Sequence, residues 1–123
     1  MADKPVMPKV DDLDELRYEG MSYWYLDKGD GEKPDEGDTL TVHYSGWLES
    51  GDLFDSSKLR GDAFCFDLGG PVIDGWNLIL SQLKVGDRVL VKIPPEKGYG
   101  SQSVGSIPPD STLFFEIEFL DSF

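Results

Sequence analysis

The chain has 123 residues, enough for one domain with a sizeable core but not for two. Its 24 acids against 11 Lys and Arg give a net charge of −13, which argues against nucleic acid and anionic membranes as partners, since both need a basic patch. Fourteen glycines, 12% aromatic content and a single cysteine point to a turn-rich β fold with no internal disulfide, and lean to a cytoplasmic setting.

From Met1 to Asp38 there are twelve acids against five Lys and Arg. Residues 1–20 are expected to be an acidic, mobile tail: they carry Pro5 and Pro8 and no hydrophobic period. The alternative for Asp11–Arg17 is a short helical turn capped by Asp11 or Asp12. No apolar run approaches the roughly 18 residues of a membrane span, and no signal-peptide pattern opens the chain.

One domain is expected over 21–123. Met21–Asp27 alternates and is aromatic, which predicts a strand. A polar turn leads to a second strand at Thr39–Leu48, with Leu40, Val42 and Tyr44 on one face. A third follows at Ala63–Leu68, with Phe64, Phe66 and Leu68 on one face and Cys65 on the other. Val72–Leu83 has the clearest helical period: Ile73, Trp76, Ile79, Leu80 and Leu83 share a face, and Lys84 and Gly86 suit its end. Asp87–Ile93 is a fourth strand. Pro94–Asp110, with four Pro and three Gly, cannot be one. Ser111–Phe119 closes the chain as a fifth strand, with Leu113, Phe115, Ile117 and Phe119 inward. The fold class is therefore α+β, with about five antiparallel strands and one short helix on one face of the sheet. A loop as long as Pro94–Asp110 usually marks function or disorder.

Most catalytic constellations are missing. With one histidine, His43, and one cysteine, Cys65, neither a Ser-His-Asp nor a Cys-His arrangement is apparent. No Cys/His metal cluster occurs, and Gly29–Asp38 mimics a calcium loop without its terminal Glu. His43 and Cys65 read as surface or structural residues. What remains is aromatic. Tyr44, Phe54, Phe64, Phe66, Trp76, Tyr99 and Phe115 sit on different elements, mostly with inward parity, and parity alone cannot tell a packed core from a pocket.

The order of motifs adds to this. "VHYSGWLESGDLFDSS", "FCFDLG", "VIDGW", "LKVGDR", "IPPEKGYGS" and "IPPDSTLFFEIEFL" follow one another from about Gly37 to Leu120. This succession resembles the FKBP family of peptidyl-prolyl cis-trans isomerases. The resemblance implies a five-stranded antiparallel sheet wrapped on one short helix, a monomer without cofactor or metal, and isomerisation of X-Pro bonds in client proteins. It implies macrolide ligands such as tacrolimus and rapamycin. It makes Trp76 the floor of a pocket in which a prolyl ring sits, with Phe64, Val72, Ile73 and Ile107 as walls. It makes Tyr44, Phe54, Asp55, Tyr99 and Phe115 the catalytic residues. Phe54, Asp55 and Phe115 surround the twisting carbonyl, Tyr99 donates to a substrate carbonyl, and Tyr44 fixes Asp55 together with Arg60, which matches the arginine beside the pocket aspartate. Asp55 is open to two roles, ordering the wall or taking part in the chemistry. Pro71 stands where the family often has an acidic or polar residue. Ser103 and Ser106 stand near a histidine and bulky apolar residues of the family's flap. These departures bear on substrate preference and drug affinity more than on catalysis. A binding or chaperone module of the same fold, with little turnover, is the alternative reading.

Overall fold

The computed structural model describes residues 4–123. Seven strands form one antiparallel sheet: β1 (Leu16–Tyr18), β2 (Met21–Asp27), β3 (Thr39–Leu48), β4 (Leu53–Ser56), β5 (Phe64–Asp67), β6 (Arg88–Ile93) and β7 (Leu113–Ser122). Two helices accompany it, α1 (Ser57–Arg60) and α2 (Asp74–Leu80), with a 3₁₀ turn at Pro95–Lys97. The strand order is β1-β2-β6-β7-β3-β4, and β5 also pairs with β3. The expected α+β class and the short helix are both present. No helix among the described residues is long and apolar enough to cross a membrane.

β3 organises the sheet. Its whole length pairs with β7 on one side. Its other edge is shared: β5 takes Thr39–Val42 and β4 takes Ser45–Trp47. The α1 turn between β4 and β5 bridges the two halves of that edge, which is where the pocket opens. Inward alternation is as expected: Leu40, Val42 and Tyr44 are buried, with Val42 opposite Phe119 and Tyr44 opposite Ile117 of β7. A bulge skips Leu120, so that Thr41 faces Asp121 and Val42 faces Phe119; Leu120 is thereby turned out to solvent.

α2 lies on the inner face, with Trp76, Ile79 and Leu80 buried. It is shorter than the expected Val72–Leu83, because its ends tighten into turns: Gln82 N–H donates to Ile79 and Leu83 N–H to Leu80. Gly75 lets it sit close to the sheet, since a Cβ there would lie 2.8 Å from Ile93 Cδ1.

Three elements were not expected. β4 and α1 occupy Leu53–Arg60, a stretch too short and polar to show a period. β1 lies inside the acidic segment, so the sheet starts before Met21. A two-residue turn joins β1 to β2, with positive φ at Glu19 (51°) and Gly20 (81°), as tight hairpins require. No helical turn forms over Asp11–Arg17. Within the expected tail, residues 1–3 lie outside the described residues, and Pro5 contributes its carbonyl to a hydrogen bond from Trp47 Nε1 at 3.2 Å. Trp47 points away from α2, on the sheet's outer face, yet is only 1% exposed. The tail segment beginning at Pro5 therefore runs over that face, with Pro5, Met7, Pro8 and Val10 half-buried.

Candidate active site

Nine of the eleven residues expected at the site line one cavity of about 240 Å³. Trp76 forms its base, placed by the first turn of α2. Val72 and Ile73 come from the approach to that helix, and Phe64 comes from the start of β5. Tyr44 and Phe115 rise from the central strands, Phe54 and Asp55 from β4, and Tyr99 from the long loop before β7. Pro71 also lines the cavity, so this departure from the family pattern touches the site itself. Ile107 lies outside the cavity, in an adjoining depression that shares Phe54, Asp55 and Tyr99 with it. Arg60 is not in the lining either; it approaches from α1 and holds Asp55 and Tyr44 from the side.

The base is built from edge-to-face aromatic contacts, the arrangement that ring quadrupoles favour. Trp76 meets Tyr44 at 4.9 Å, Phe115 at 5.4 Å and Phe64 at 5.9 Å between centroids, with interplanar angles of 75° to 85°. It is 5% exposed, and its Nε1 is buried with no hydrogen-bond partner among the described residues. The ring thus presents apolar surface to the cavity and no polar handle. Phe54 stands perpendicular to Phe115 at 5.5 Å and 89°. Gly46 makes that pair possible, since a Cβ there would lie 2.6 Å from Phe54 Cζ and 2.8 Å from Phe115 Cε1. The motif contained this glycine, but only the fold shows that it leaves room for two rings from different strands.

The polar side of the cavity is ordered around one carboxylate. Asp55 Oδ2 accepts from the Tyr44 phenol at 2.5 Å. Oδ1 accepts from Arg60 and, at 2.9 Å, from the Ser56 N–H. Arg60 also donates to the Tyr44 oxygen at 2.9 Å. Every Asp55 oxygen is thus engaged. Burial, and then the hydrogen bond to Asp55, raise the Tyr44 phenol above its ordinary value near 10. Burial, followed by the Asp55 charge, does the same for Tyr99. Both phenols are therefore protonated donors at neutral pH. Tyr99 donates to nothing among the described residues, and the Ile73 N–H has no backbone acceptor there. Two unspent donors thus stand beside an aromatic base.

The long loop is internally tied. Gly100 N–H donates to Pro95 and Asp110 N–H to Gly100, each at 2.8 Å. Val104 and Ile107 exchange N–H···O bonds across a two-residue turn. Among the described residues no group of three His, Cys, Asp or Glu is placed to hold a metal. His43 faces the outer side, with Nδ1 2.8 Å from Ser57 Oγ, and Cys65 is exposed.

The chain matches the family model of the FKBP-type peptidyl-prolyl cis-trans isomerases over residues 30–120. It is 44% identical over 102 residues to the FKBP-type peptidyl-prolyl cis-trans isomerase FkpA of Escherichia coli K12, covering 83% of this chain but 37% of that protein. It therefore spans little more than a third of that relative. It is 42% identical to FK506-binding protein 1 of Dictyostelium discoideum, covering 82% of this chain and 96% of that one. The crystal structure of FkpA superposes with a TM-score of 0.79 at 44% identity, covering 84% of this chain and 48% of that one. The crystal structure of AtFKBP13 gives 0.80 at 35% identity, covering 85% and 94%. The chain belongs to the family of FKBP-type peptidyl-prolyl cis-trans isomerases.

Proposed function

We propose that this chain catalyses cis-trans isomerisation of X-Pro bonds in polypeptides, and that tacrolimus and rapamycin compete for the same cavity. The observation that carries this is the aromatic base of Trp76 with two unspent donors beside it. An X-Pro bond prefers trans by only about 0.5–1 kcal/mol but crosses a barrier of about 18–20 kcal/mol. That barrier is amide resonance. Twisting the bond removes the resonance and with it much of the charge separation, so water stabilises the planar amide more than the twisted one. A dry pocket cancels that advantage and favours the twisted state with no nucleophile. Each tenfold acceleration needs only about 1.4 kcal/mol of such difference.

In this reading Trp76, Phe64, Val72 and Ile73 hold the prolyl ring. The Ile73 N–H and the Tyr99 phenol donate to the carbonyls flanking it. Phe54, Asp55 and Phe115 surround the twisting carbonyl, and Ile107 contacts the chain beside it. Tyr44 and Arg60 hold Asp55. With both oxygens already engaged, Asp55 orders the wall and moves no proton. The name of the Dictyostelium relative, an FK506-binding protein, supports tacrolimus as a ligand. A monomer acting in the cytoplasm completes the proposal; size-exclusion chromatography with light scattering checks the first part.

The test is NMR exchange spectroscopy on a short Leu-Pro peptide. The wild-type chain should produce cis-trans exchange peaks at catalytic concentration, and Trp76→Leu should weaken them at least tenfold. Absence of exchange with a folded wild-type chain would refute the activity and leave a binding module.

A further inference from the structure

The Phe54-Asp55-Ser56-Ser57 stretch gives the cavity its first two side chains; the two serines lie behind it, both buried. Their place follows from the divided edge of β3. β5 pairs with β3 up to Val42↔Phe64, and β4 begins pairing at Ser45↔Ser56. His43 and Tyr44 fall in the gap, where no strand pairs with this edge of β3; on its other edge they face Glu118 and Ile117 of β7. Beyond Ser56 the chain has already turned into α1. A single side chain closes the gap. Ser57 Oγ accepts from the Tyr44 N–H at 2.8 Å and donates to the Tyr44 carbonyl at 3.2 Å. His43 Nδ1 is its third partner, at 2.8 Å. Ser57 is fully buried, so water cannot take its place.

Tyr44 is the residue whose phenol orders Asp55. We infer that Ser57 is a positioning residue: its hydroxyl replaces the strand partner that Tyr44 lacks on the β4/β5 edge, and so fixes the height at which the Tyr44 phenol meets Asp55 and Arg60. The effect on turnover rests on the isomerase activity proposed above; the effect on Tyr44 and Asp55 does not. Ser57 touches no substrate. The adjacent pair Ser45 and Ser56, with hydroxyls 2.9 Å apart, ties down the first rung of β4 and leaves the gap itself to Ser57.

The test is a double-mutant cycle with two readouts. Ser57→Ala and Tyr44→Phe are made singly and together. Thermal unfolding confirms that each folds, and Ser57→Cys replaces the alanine variant if that one does not. Because Ser57 acts through Tyr44, S57A should lower kcat/KM roughly tenfold in the wild-type background. In the Y44F background it should cost no more than about twofold. The Asp55 carboxyl carbon and the Tyr44 ring resonances should shift in S57A. An equal loss in both backgrounds would overturn the inference, and so would unmoved Tyr44 and Asp55 resonances. A wild-type chain without turnover would refute the isomerase reading and leave the resonance test to decide on Ser57.

Discussion

Gly46→Ala should close the cavity from behind. A Cβ built on Gly46 lies 2.6 Å from Phe54 Cζ and 2.8 Å from Phe115 Cε1. Ordinary carbon contacts lie at about 3.5–4.0 Å, so the rings must recede by roughly 1 Å. Phe115 is buried between β3 and β6 and has nowhere to go. Phe54 is half-buried on a four-residue strand, and yields toward the cavity. Overpacking of this kind costs about 2 kcal/mol, which lowers Tm by roughly 6–10 °C for a domain of this size. Because Phe54 moves into the space for the twisting carbonyl, kcat/KM should fall about ten- to a hundredfold. Calorimetry and peptide exchange measure the two effects on the same sample. Gly46→Ala/Phe54→Leu, which shortens the displaced ring, should recover most of the lost Tm. A Gly46→Ala chain with unchanged Tm and turnover would refute the close approach. A Tm deficit that Phe54→Leu does not repair would show that the strain falls elsewhere.

Arg60→Lys keeps the charge but gives up the fork that reaches both Asp55 and Tyr44. The pair is about half exposed, so stability should change by less than about 1 kcal/mol while kcat/KM drops several-fold; a large fall in Tm with unchanged turnover would contradict this. The raised phenols of Tyr44 and Tyr99 mean that the folded chain keeps protons which the unfolded chain releases. Their contribution to stability is complete below the ordinary value near 10 and is lost as pH rises through the folded values. An alkaline absorbance titration at 295 nm should therefore lose one component above pH 10 in Tyr99→Phe. Deleting residues 1–10 removes the Pro5 carbonyl from Trp47 and uncovers its ring. Denaturant unfolding should register a loss of about 2 kcal/mol and tryptophan emission should shift to the red, with turnover unchanged because the cavity is on the other face. An unmoved emission maximum would show that the tail segment beginning at Pro5 does not cover Trp47 in solution.

Sequence patterns revealed α2 and the inward faces of β3, β5 and β7, because each buries one side of a regular element against the same core. They could not reveal the pocket: Tyr44, Phe64, Trp76 and Phe115 have the parity of core residues, and motif order alone gave them a second role. β4 and α1 went unseen because Leu53–Arg60 has too few residues to show a period, and its polar side chains make tertiary bonds instead. β1 was hidden by the acids around it and exists because β2 offers an edge. The buried Trp47 ran against alternation, since an outward position counts as solvated until something covers it. Gly46 and Ser57 were legible as motif letters only. Their work, leaving room for two rings and bridging a gap between two strands, depends on partners at a distance along the chain.

The most direct test of the account is the cis-trans exchange rate of a Leu-Pro peptide, measured by NMR with the wild-type chain alone and with one equivalent of tacrolimus. The account predicts rapid exchange that the drug abolishes, since peptide and macrolide would share the Trp76 base. Exchange that persists with the drug bound would place catalysis outside this cavity, and drug binding without any exchange would reduce the site to a binding module.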